Sequence, residues 1–125
     1  ASPDSWMNRF MIPSAVEGAV DIDLSQAGKI FYNTCSAEIV NQVIPYLRPQ
    51  AVGPFEGTFR LTPARYGKVP KTYIVCTQDN AVHPAGQYFF CVRMGAKRYE
   101  MNTDHSPFYC DPKGLAAIID QEARP

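Results

Sequence analysis

Lys71-Thr72-Tyr73-Ile74-Val75-Cys76-Thr77-Gln78-Asp79 is the stretch whose reading decides the fold. Its first seven residues are rich in β-branched and apolar side chains, and Pro70 and the polar run Gln78-Asp79-Asn80 bound them. That pattern predicts a short strand with a carboxylate at its carboxyl end. Downstream, Pro84 suits the first turn of a helix that carries Tyr88, Phe89, Cys91, Val92 and Met94 and meets a stop signal at Gly95. Arg98-Tyr99-Glu100-Met101 predicts a second short strand, and Asn102-Thr103-Asp104-His105-Ser106 is its polar exit. Asp111 before Pro112 opens a last helix with an apolar face of Leu115, Ala116, Ile118 and Ile119. The order strand, polar loop, helix, strand, polar loop, helix is that of the end of an open α/β sheet. Two parallel strands cannot cover their own edges and faces, so neighbouring strands are expected from elsewhere.

Upstream, residues 1–35 lack a clear period and are expected to form a loop-rich excursion that packs through apolar patches. Ser36 is a helix cap, Glu38 suits the positive helix end, and Ile39, Val40, Val43, Ile44 and Leu47 share one side until Pro45 bends or ends the helix. Such a helix either packs in a core or covers a ligand cavity. From Arg48 to Pro70 the chain reads as a turn-rich connection with one short regular piece around Thr58 to Leu61.

Composition narrows the function classes. The 125 residues suit one ordinary domain, and seven Tyr, seven Phe and one Trp exclude a disordered chain. Twelve basic and twelve acidic side chains balance, so no nucleic-acid partner is expected. No apolar run approaches the roughly 18 residues of a membrane span, so no membrane partner is expected either. The first ten residues show no signal-peptide pattern. A cytoplasmic location is expected, with a secreted or periplasmic one left open. Cys35, Cys76, Cys91 and Cys110 contain no CxxC spacing. They read as free thiols, with disulfides as the alternative, and neither a metal centre nor a cofactor is expected.

In open α/β sheets, sites form beyond the carboxyl ends of the strands, where Asp79 and His105 both fall. A carboxylate can hold one imidazole nitrogen while the other takes a proton from a nucleophile. His83, directly before Pro84, reads instead as a helix-start or surface residue.

These residues carry a specific resemblance. Tyr73 to Asp79, followed 26 positions after Asp79 by His105 within Asp104-His105-Ser106-Pro107, resembles the last part of an α/β-hydrolase of the plant methylesterase and hydroxynitrile-lyase group and its bacterial esterase relatives. Phe31-Tyr32-Asn33-Thr34-Cys35-Ser36 and Tyr46-Leu47-Arg48-Pro49-Gln50 resemble the cap segment of those enzymes. The resemblance implies a mainly helical cap with an amino-terminal extension over residues 1–66, and the carboxyl-terminal part of the catalytic α/β domain over 67–125. It also implies a sheet completed by another chain, with Asp79 as triad acid and His105 as triad base.

One departure is decisive for the reading. No serine stands in a Gly-x-Ser-x-Gly elbow, and Ser106 reads as a loop hydroxyl. The resemblance therefore implies an upstream partner chain of the same precursor that supplies the nucleophilic Ser and the oxyanion hole, in a nicked or processed enzyme, with a higher oligomer left open. The expected activity is hydrolysis of a small, mostly apolar carboxylic ester, with the isolated chain inactive. A hydroxynitrile lyase is the alternative; it is expected to carry a lysine after the histidine, where this chain has Ser106. A noncatalytic small-molecule binding or interaction protein is the other. Among the apolar candidates for substrate contact, Phe31, Tyr32 and Phe108 lead, followed by Trp6, Met7, Phe10, Met11, Phe55, Phe59 and Tyr109.

Overall fold

A computed structural model describes residues 7–124. Trp6, one of the apolar candidates, lies outside the described residues. The element order is α1 (Met7–Phe10), β1 (Met11–Pro13), β2 (Ala19–Ile22), α2 (Leu24–Phe31), α3 (Ala37–Val43), β3 (Gln50–Ala51), α4 (Gly53–Glu56), β4 (Thr72–Cys76), α5 (Pro84–Met94), β5 (Lys97–Met101), α6 (Pro107–Cys110) and α7 (Pro112–Ala123).

β4 and β5 are the two strands expected from sequence. They pair in parallel, with Thr72 opposite Lys97 and Cys76 opposite Met101. Both therefore end at the same side, and the loops carrying Asp79 and His105 leave together. α5 is the crossover between them and packs on β4. His83 caps it by accepting a bond from the Ala85 N–H, and Pro84 occupies the first turn. Gly95 ends it at φ 61°, a left-handed conformation that glycine adopts at little cost, with its N–H on the Cys91 and Val92 carbonyls. α7 begins at Asp111, whose side chain accepts from the Gly114 N–H. Its far end is pinned to the sheet by Glu122, which accepts from Thr72 Oγ1 (2.6 Å), Lys97 Nζ (2.7 Å) and the Tyr99 hydroxyl (2.7 Å). Those three donors hold the Glu122 carboxyl at a pKa of about 2, the Lys97 bond contributing most.

The expected cap region is more regular than its sequence suggests. It holds the short helices α1 to α4, but β1, β2 and β3 also form an antiparallel sheet in that order. Met11 to Pro13 lie opposite Ile22 to Val20, and Ala19 and Val20 lie opposite Ala51 and Gln50. Residues 1–35 are thus not wholly a loop-rich excursion. The short regular piece expected around Thr58 to Leu61 is replaced by α4, which starts at Gly53 with Pro54 in its first turn. Proline pre-sets the helical φ and lacks the N–H that a first turn leaves unsatisfied, so helix nucleates there.

α2 is the element that joins the two regions. Asp23 caps it, and Ala27 and Ile30 on its inner face are fully buried. A β-carbon on Gly28 would stand 3.1 Å from Val40 Cγ1, so glycine lets α2 approach α3 closely. From the other side, the Asn80 side chain donates to the Lys29 carbonyl (2.8 Å) and the Asn33 side chain to the Gln78 carbonyl (2.9 Å). Both bonds tie the end of α2 to the loop that follows β4.

Candidate active site

Asp79 directly follows the Thr77-Gln78 turn that ends β4, and only 4% of it is exposed. Its Oδ1 accepts from the Ala81 and Val82 N–H groups at 2.7 and 2.9 Å. Its Oδ2 accepts from Gln87 Nε2 at 3.0 Å and faces His105 Nδ1 at 2.9 Å. Three donors other than histidine thus fix the carboxylate before it meets the imidazole. An ionised carboxylate can only accept, so the contact places the proton of neutral His105 on Nδ1. Nε2 is then the basic nitrogen, and it takes no hydrogen bond from the described residues. His105 is 40% exposed and lines a cavity of about 280 Å3.

Gln87 is a site residue that sequence reasoning passed over. It sits on the inner face of α5, one turn before buried Cys91. Its amide nitrogen reaches Asp79, the Val82 carbonyl (2.8 Å) and the Cys76 carbonyl (3.2 Å), while its oxygen accepts from the Cys76 N–H (2.9 Å). A polar side chain buried at that depth needs its partners, and these hold the acid to the end of β4. The readable signal is the four-residue spacing of Gln87 from Cys91 on a helix, which puts an amide on the buried face.

Asp104, immediately before the histidine, belongs to the polar exit of β5 and to the Asp104-His105-Ser106-Pro107 motif, neither of which assigns it a role. It is fully buried. Its Oδ2 accepts from the Thr34 N–H (2.8 Å) and hydroxyl (2.9 Å), and its Oδ1 from the Ser106 N–H (2.9 Å) and the Cys110 thiol (3.4 Å). Burial by itself raises the carboxyl pKa, but the donors from Thr34, Ser106 and Cys110 outweigh it and hold the group below its ordinary value. The histidine loop is thereby fastened to the turn after α2. Ser106 is itself buried.

The structure brings Asp79, His105 and Phe31 together. Phe31, the last residue of α2, lies 5.6 Å from His105 between ring centroids and lines the same cavity. Met7, Met11 and Phe55 of the wider apolar set also line it. Tyr32 and Phe108 stand outside that lining. Tyr32 turns inward against Tyr109 at 6.0 Å, and burial pushes its phenol upward. Phe108, on α6, packs on Tyr109 at 4.9 Å between ring centroids and is otherwise exposed. Besides His105, three polar residues line the cavity: Asp21, and Arg48 and Gln50 of the cap-like motif. Arg48 bends back to donate to the Pro45 and Leu47 carbonyls, both at 2.8 Å.

The arrangement offers an acid-supported base at the edge of an apolar recess. All four cysteines are free thiols. Among the described residues, no helix is long and apolar enough to cross a membrane.

No protein-family model matches the chain. No curated protein matches it either. Among solved structures it is similar to polyneuridine aldehyde esterase, with a TM-score of 0.76 and 20% identity, covering 91% of this chain and 47% of that one. A methylesterase from Arabidopsis gives a TM-score of 0.78 and 23% identity, covering 84% of this chain and 46% of that one. A pyrethroid hydrolase from Sphingobium faniae gives 0.76 and 20%, covering 90% and 46%. At these identities the likeness is one of fold: the chain adopts an α/β fold of the kind seen in these esterases and hydrolases, and it spans about half the length of the solved structures it matches.

Proposed function

We propose that this chain carries the acid and the base of a serine esterase that acts on a small, mostly apolar ester. The observation that carries the reading is the buried Asp79 carboxylate on His105 Nδ1, with Nε2 left to a cavity that Phe31 lines. In this reading the nucleophilic Ser and the oxyanion hole belong to polypeptide outside these residues, contributed by an upstream chain of the same precursor. His105 Nε2 takes the serine proton as the hydroxyl attacks the ester carbonyl. Asp79 holds the ring and stabilises its charged form. The same nitrogen then protonates the leaving alcohol, and the cycle repeats with water to release the acid.

The sheet supports this reading. The Thr77 N–H donates to the Met101 carbonyl and the Lys97 N–H to the Lys71 carbonyl, so odd-numbered residues of β4 face β5. Thr72, Ile74 and Cys76 therefore present their backbone to the opposite edge, where Gln87 already occupies Cys76. Thr72 and Ile74 are the places for a further parallel strand. On the neighbouring surface, Leu61, Phe89 and Phe90 line an open apolar groove, a face that additional structure would bury.

Hydrolysis is favoured over cyanohydrin cleavage because Ser106, in the position after the histidine, is buried and places no charge in the cavity. Turnover of a panel of short aromatic and aliphatic esters tests the reading. Activity is expected from the chain together with its upstream partner and not from the chain alone. Phe31→Ala is expected to raise KM for the aromatic esters about 10-fold, in line with the loss of one apolar contact surface. Equal turnover by the chain alone would overturn the two-chain reading.

A further inference from the structure

Beside the acid-base pair, and unused by it, Cys35, Asp104 and Cys110 bring one ligand atom each to within 4.8 Å of one another. They come from two separate segments: Cys35 from the turn between α2 and α3, Asp104 and Cys110 from the histidine loop and α6. We propose that these three residues form a binding site for a thiophilic divalent cation of the zinc class, which revises the expectation that the chain holds no metal.

The spacing fits that chemistry. A thiolate sulfur and a carboxylate oxygen on one tetrahedral zinc stand about 3.6 Å apart, given the usual bond lengths. Cys110 Sγ and Asp104 Oδ1 are 3.4 Å apart with only a thiol proton between them. A cation can take the place of that proton without displacing the carboxylate. Asp104 keeps both bonds from Thr34 on Oδ2 and the Ser106 N–H on Oδ1, so its orientation is already set for a ligand. On binding, two sulfur–metal bonds and one oxygen–metal bond form, and the two thiol protons leave to solvent.

Two sulfurs with one oxygen select a soft or borderline ion over Mg2+ or Ca2+, which take all-oxygen shells. Cys35 and Cys110 are both partly exposed, which gives the ion a path of entry. Once bound, it would cross-link the turn after α2 to the segment on either side of His105.

Cadmium titration tests the site on the chain with whatever polypeptide accompanies it, held reduced with a phosphine. Cd2+ alone is the probe. The expected result is a saturable sulfur-to-cadmium charge-transfer band at one ion per chain. Mass mapping should then show alkylation of Cys35 and Cys110 falling when Cd2+ is added, while that of the buried Cys76 and Cys91 does not change with Cd2+. Cys35→Ser and Cys110→Ser should each weaken binding by at least about 100-fold, and Cys91→Ser should leave it unchanged. The alkylation readout needs no variant, so a substitution that fails to fold does not spoil the test. No band, equal alkylation of Cys35 and Cys110 with and without Cd2+, or capture of those two sulfurs as a disulfide that phosphine does not open would each overturn the proposal. All these readouts are independent of ester turnover.

Discussion

His105→Ala is expected to lower kcat for ester hydrolysis by roughly 10⁴- to 10⁶-fold in the assembled protein while leaving its unfolding transition nearly unchanged. Nε2 is the group that takes and returns the proton in every step of the proposed cycle. Asp21 also lines the cavity, but of the two only His105 has a buried carboxylate behind it. The stability expectation follows from exposure: a ring that is 40% exposed and makes one hydrogen bond contributes little burial. Steady-state kinetics on aromatic and aliphatic esters, with thermal unfolding as the control, check both halves. Turnover within about tenfold of the unsubstituted protein would remove His105 from the mechanism.

Asp79→Asn is expected to cost about 10⁴-fold in kcat through the tautomer rather than through lost charge alone. The asparagine oxygen can keep the place of Oδ1, accepting from the Ala81 and Val82 N–H groups. Its NH2 must then occupy the place of Oδ2, facing His105 Nδ1 and Gln87 Nε2. Nδ1 becomes an acceptor, the ring proton moves to Nε2, and the basic nitrogen is lost to the reaction. Gln87 meets a donor where it had an acceptor, so stability should fall by about 1–3 kcal/mol. Kinetics should therefore show a large loss in kcat with a modest shift in unfolding. A fall in stability with kcat preserved would make Asp79 a structural carboxylate only.

Sequence patterning works here where local chemistry and tertiary packing agree. The five central residues of the Lys71–Thr77 run form β4, and Pro84 and Gly95 bound α5 as proline and glycine should. Asp79 and His105 were legible because parallel strands deliver both residues to one end of the sheet. The sheet of β1, β2 and β3 was not legible. Its strands are two to four residues long, and no residue in them is fully buried, so two-residue periodicity had too little length to show. Gln87 and Asp104 were missed for a related reason. A buried polar residue looks like a surface one until its partners are known, and the Asp104 partner Thr34 is 70 positions away. Phe31 was singled out through the cap-like motif and lines the cavity, whereas Tyr32 and Phe108, taken up with it, turn toward Tyr109.

The central claim is that an acid and a base on this chain serve a serine that lies outside it. Labelling the assembled protein with a serine-directed fluorophosphonate, followed by peptide mapping, tests that most directly. One labelled serine is expected, in a Gly-x-Ser-x-Gly setting on the accompanying polypeptide, with labelling slowed in both His105→Ala and Asp79→Asn. A label confined to a serine of these 125 residues, Ser106 included, would contradict it.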